Sequence, residues 1–113
     1  MSDNHLIDHE ILSTLQDVMG DDFGLLIETY LSDSEGRLSA MQKALASGDA
    51  EALRCAAHSF KGSCSNVGAT TLAAQCQLIE QAALNKQLIG LETSLVTLHS
   101  EFSQVRRQLA GYQ

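Results

Sequence analysis

Proline is absent from the 113 residues, and aromatic side chains make up only 4% of them. A chain free of proline suits uninterrupted helices, and so few aromatics argue against a sandwich or barrel with many turns. Basic residues are scarce as well. Seven Lys and Arg against fourteen Asp and Glu leave a formal charge of −7, which counts against nucleic acid as a partner, because phosphate-backbone binding draws on clustered positive charge. No apolar run approaches the ~20 residues needed to span a bilayer, and the stretch holding Asp3, Asp8 and Glu10 has neither the positive start nor the apolar core of a signal peptide. The expectation is a cytoplasmic protein with no membrane segment. Cys55, Cys64 and Cys76 are odd in number and lack Cys-x-x-Cys spacing, so free thiols are expected, with Cys64 and Cys76 as small core residues. Neither a Walker A motif nor a kinase-type glycine loop occurs, which leaves no visible means of binding ATP.

What is present is helical periodicity. The length suits one domain over residues 1–113, and the 44% hydrophobic content is that of a globular protein. Five helices are predicted at about 8–19, 22–46, 50–67, 70–86 and 89–110. Asp8 caps the first, which carries Ile11, Leu15 and Val18 and stops at Gly20; Asp21 or Asp22 opens the second. The second turns Ile27, Leu31, Ser34, Leu38, Met41 and Leu45 inward and ends at Gly48. Asp49 caps the third. Leu72, Cys76, Ile79 and Ala83 line the fourth, and Leu91, Leu95, Leu98, Phe102, Val105 and Leu109 the fifth. One apolar face per helix and short connections predict an all-α fold, an antiparallel four-helix bundle with an additional short N-terminal helix across one end. Asp21, Asp22, Glu28, Asp33 and Glu35 read as a solvated acidic face.

The third helix holds the candidate site. Leu53, Ala57, Phe60, Cys64 and Val67 recur at intervals of four, three, four and three, so they share its inward stripe. His58 lies off that stripe, in the series Arg54, His58, Lys61, Ser65 that the same periodicity turns toward water. Lys61, three residues on, faces the same way and can reach an anion carried on the ring. Beside them run the small residues Cys55, Ser59, Gly62 and Asn66. Gly62 costs about 1 kcal/mol relative to alanine inside a helix. Either close packing by a neighbouring helix or close approach by another molecule to His58 would compensate.

The run His58-Ser59-Phe60-Lys61-Gly62-Ser63-Cys64-Ser65-Asn66-Val67-Gly68-Ala69, followed by Leu72, Cys76, Ile79 and Glu80, resembles the His-x-x-Lys-Gly-x-Ser-x-x-x-Gly-Ala signature of histidine-containing phosphotransfer (HPt) domains. The likeness extends from about Ile7 to Lys86, through Asp21-Asp22, Leu25-Leu26, Tyr30-Leu31, Arg37-Leu38, Ala44-Leu45 and Gly48-Asp49. Two departures stand out: Cys64 takes a place usually held by a small residue such as Ser or Ala, and Asn85-Lys86 stand where many members have an arginine.

The resemblance implies a stand-alone bacterial-type phosphocarrier rather than an enzyme. His58 would take a phosphoryl group on Nε2 from the receiver-domain aspartate of a hybrid sensor histidine kinase and pass it to a response-regulator receiver. It implies no cofactor of the carrier's own, with Mg²⁺ supplied by the receiver; a monomer is expected, although the sequence does not decide whether the protein dimerises. Lys61 would offset the arriving charge, Gly62 would keep the approach clear, and Glu80 would accept a hydrogen bond from the other ring nitrogen and so leave Nε2 free. Arg54, Ser59 and Ser65 are candidate docking residues. Two other readings come from the same residues. A helical adaptor would keep the bundle and leave His58 unused. A metal-binding bundle would use His5, His9, His58 and His99, although the Glu-x-x-His pair of di-iron bundles does not occur.

Overall fold

The computed structural model describes residues 6–112. The helices are α1 (His9–Met19), α2 (Phe23–Ser47), α3 (Ala50–Asn66), α4 (Thr70–Leu84) and α5 (Leu91–Ala110), and among the described residues there is no strand. Short turns make α2 to α5 an antiparallel bundle, and α1 lies across the end where α2 starts, α3 and α4 meet and α5 finishes.

Polar caps fix two of the helix starts. The Asp8 carboxylate accepts from the amides of Glu10 and Ile11, and that of Asp49 from Ala52, each filling one or more of the donors that a first turn leaves open. Asp21 and Asp22 do not cap α2 in this way. A 3₁₀ turn over Gly20–Asp22 carries the chain straight into α2, and the Asp22 side chain makes no capping bond. The fourth connection is also longer than the periodicity suggests. Lys86 adopts φ 59°, which stops α4 at Leu84, and α5 begins only after Gly90 at φ 89°.

The predicted stripes on α3, α4 and α5 are buried along their whole length. On α2 the line from Ile27 to Met41 is buried and Leu45 is half-buried at the edge, while Phe23, Tyr30 and Ala44 join the core. Ser34, the one polar residue on that line, donates its hydroxyl to the Tyr30 carbonyl at 2.6 Å, which satisfies it without a cross-helix partner. Three of the few aromatic rings meet in the middle: Tyr30, Phe60 and Phe102 lie 6.1 to 6.5 Å apart, one pair stacked and two edge-on. They join α2, α3 and α5, and the Tyr30 hydroxyl lies 3.2 Å from the Cys64 sulfur. Cys64 is thus a core residue, and all three cysteines are free.

The lid helix keeps Ile11 and Leu15 of its expected stripe against the bundle but adds Leu12 and leaves out Val18. Leu12 is fully buried and Ile11 and Leu15 half-buried, whereas Val18 is 77% exposed. Its seat lies on the Gly68 turn, through Asp8 and Ile11. The Asp8 amide donates to the Gly68 carbonyl at 2.7 Å, and a Cβ on Gly68 would stand 3.0 Å from the Asp8 oxygen and 3.2 Å from the Ile11 Cβ. With φ at 80°, Gly68 both turns the chain between α3 and α4 and leaves room for α1. His9 and Phe23 pack on Tyr112, and His9 Nδ1 lies 2.7 Å from the Tyr112 hydroxyl, which ties the lid to the end of α5.

Candidate functional site

With Leu53, Ala57, Phe60, Cys64 and Val67 buried, the phase of α3 is fixed, and His58 is turned outward with 63% of its side chain exposed. One ring nitrogen is engaged: Nδ1 lies 2.9 Å from Oε2 of Glu80 on α4. An ionised carboxylate can only accept, so Nδ1 carries the hydrogen and the neutral ring keeps its lone pair on Nε2, facing solvent. Glu80 itself is only 13% exposed, and its other oxygen, Oε1, takes the Lys61 ammonium at 2.7 Å. A single carboxylate therefore orients the imidazole with one oxygen and holds the lysine with the other.

Lys61 is more committed than its phase suggests. Besides Glu80 it donates to Oε1 of Gln77, one turn earlier on α4, at 2.9 Å, and only 25% of its side chain is exposed. Gln77 is a residue that sequence reasoning missed. Its spacing of three from Glu80 puts both on one face of α4, but nothing in the sequence gives the register of α4 against α3.

These contacts act on Glu80. The hydrogen bond from Lys61, and to a lesser extent that from His58, hold its carboxyl below the usual carboxylate range against the opposing effect of desolvation. A depressed folded-state value stabilises the fold above the unfolded value of about 4.5, and the contribution disappears as pH falls through the lowered one. Melting temperatures of the wild type and Glu80→Gln should therefore differ most above the ordinary carboxylate range and converge as the pH falls below it.

Gly62 lies one turn beyond His58 and is exposed, and a Cβ built on it would meet nothing within 4 Å. Close packing by a neighbouring helix is thus not the reason for glycine here, and the surface beside the imidazole is open. Arg54 departs from expectation: its guanidinium makes two hydrogen bonds to Glu51 on the same helix, at 3.0 and 2.6 Å, so its charge is paired locally instead of standing free for a partner. Ser59 is half-buried and Ser65 exposed. Between α2 and α3 runs a shallow groove lined by Asp33, Gly36, Arg37, Ala40 and Ala56. The acidic residues Asp21, Asp22, Glu28, Asp33 and Glu35 are all exposed, with Glu35 paired to Arg106 of α5.

For the metal-bundle reading, His5 lies outside the described residues, and among the described residues no three His, Cys, Asp or Glu side chains converge to hold a metal ion. No helix among them is long and apolar enough to cross a membrane.

Comparison with known families matches the Hpt domain over residues 25–108. Among solved structures, the histidine-containing phosphotransfer protein B (HptB) of Pseudomonas aeruginosa PAO1 is similar at a TM-score of 0.92 and 39% identity, over 95% of this chain and 93% of that one. The maize histidine-containing phosphotransfer protein ZmHP2 is similar at a TM-score of 0.82 and 22% identity, over 96% of this chain and 83% of that one, a likeness of fold alone. Among curated proteins, none matches. The family match spans most of the chain and includes the whole of α3 and α4, and the protein therefore belongs to the Hpt domain family, the histidine phosphotransfer proteins of phosphorelays.

Proposed function

We propose that the protein is a cytoplasmic phosphocarrier in which Nε2 of His58 accepts a phosphoryl group from the receiver aspartate of a hybrid sensor kinase and passes it to the receiver aspartate of a response regulator. The observation that carries this reading is the imidazole itself: 63% exposed, held at Nδ1 by Glu80, with an open glycine one turn away.

In the forward step the Nε2 lone pair attacks phosphorus, the N–P bond forms, the P–O bond of the acyl phosphate breaks and the aspartate leaves as carboxylate. No proton needs to move, because Nδ1 already carries it. The ring becomes cationic as the bond forms, and the Glu80 carboxylate 2.9 Å from Nδ1 stabilises that charge. The reverse sequence returns the group to a second aspartate. Mg²⁺ is taken to come with the receiver, where the acyl phosphate is made and broken. Docking involves the His58 face of α3 and the groove against α2, whose small residues Gly36, Ala40 and Ala56 let a receiver approach closely.

The test is transfer from phosphorylated receiver domains in the presence of Mg²⁺, read by intact mass at neutral pH. The expected result is one phosphoryl group per chain, lost on brief acid treatment. Folded protein that accepts nothing from a broad panel of receivers would instead be an adaptor.

A further inference from the structure

Among the described residues the ammonium of Lys61 has two acceptors, and both belong to α4: Glu80 Oε1 at 2.7 Å and Gln77 Oε1 at 2.9 Å. His58 and Lys61 stand three apart on α3, as Gln77 and Glu80 do on α4, so the four side chains bridge the two helices as one network. Glu80 cannot release the lysine without also disturbing the imidazole that it orients. Gln77 can. It is neutral, it is exposed, and it contacts the site through Lys61.

We infer that Gln77 is a positioning residue that holds Lys61 toward α4 and away from Nε2, and thereby sets how the phosphoryl group divides between His58 and the receiver aspartate. The inference rests on the carrier reading above. A lysine drawn fully onto the phosphoryl group would make phosphohistidine a sink, whereas a relay needs it to remain a donor. The amide of Gln77 competes for the same ammonium donors without adding charge, and so moderates that stabilisation.

The experiment measures the equilibrium ratio of phosphohistidine to phosphoaspartate, with a receiver domain that exchanges phosphoryl groups with the wild type in Mg²⁺. Gln77→Leu removes an acceptor from an exposed helical position, leaves Lys61 held by Glu80 alone, and should shift the ratio toward His58 by roughly three- to tenfold. Gln77→Glu holds the ammonium more firmly and should shift it toward the receiver. In a Lys61→Ala background Gln77→Leu should have no effect, a result that a merely structural role for Gln77 would not produce. Ratios within about twofold of wild type for both Gln77 variants, or a Gln77→Leu shift that persists without Lys61, would overturn the inference and leave the carrier reading in place. A wild type that exchanges phosphoryl groups with no receiver would overturn both.

Discussion

His58→Gln is expected to accept no phosphoryl group at all while folding as the wild type does. The loss should be complete because glutamine has no ring nitrogen lone pair, and Lys61 beside it is an ammonium held by Glu80 and Gln77. The fold should be indifferent because the His58 side chain is mostly in solvent and its one polar contact among the described residues is Glu80, to which a glutamine amide can also donate. Substitutions of this kind usually change stability by no more than about 0.5 kcal/mol. Thermal denaturation beside a transfer assay checks both halves. A variant that still gained an acid-labile phosphoryl group would place the acceptor elsewhere, and one that kept its signalling activity in a cell would favour the adaptor.

Substitutions at Gly62 should move stability and transfer in opposite directions. A Cβ there meets no atom within 4 Å, so Gly62→Ala should gain the helical propensity that glycine forgoes, about 0.5–1 kcal/mol. Transfer should nevertheless slow, and Gly62→Gln, whose longer side chain would project beside the imidazole, should slow it by more than about tenfold, on the premise that a misfit of about 1 Å near reacting atoms can cost a factor of 10². Denaturant titration and single-turnover transfer kinetics give the two numbers. Loss of stability in Gly62→Ala would mean that glycine is needed by the fold after all. Unchanged transfer in Gly62→Gln would mean that nothing has to approach His58 from that side.

These effects follow from a feature that the sequence carries plainly, the phase of α3. Five buried residues at helical intervals leave only one direction for His58, and Phe60 anchors that stripe in the aromatic cluster with Tyr30 and Phe102. The caps at Asp8 and Asp49 were legible for the same reason: each depends on residues within a single turn. Where the reading failed, the deciding contact lay in another element. On α1 the stripe holds for Ile11, which meets the Gly68 turn, and for Leu15, but Leu12 rather than Val18 completes the buried face, which depends on how the helix lies across the bundle. Lys61 pointed the right way, but its tether to Gln77 and Glu80 depends on how α4 is registered against α3, which no local pattern encodes. The pairing of Arg54 with Glu51 is a different case, since it follows from a spacing of three on one helix; it weakens a docking role that phase alone had suggested.

The central claim concerns one atom, Nε2 of His58, and nuclear magnetic resonance can examine it directly. Long-range proton–nitrogen spectra of histidine-labelled protein, recorded before and after phosphorylation by a receiver domain, report which ring nitrogen carries hydrogen and which carries phosphorus. His58 is expected to hold its hydrogen on Nδ1 in the free protein and to acquire phosphorus on Nε2 with the Nδ1 hydrogen retained. Phosphorus on Nδ1, or on any residue other than His58, would contradict it.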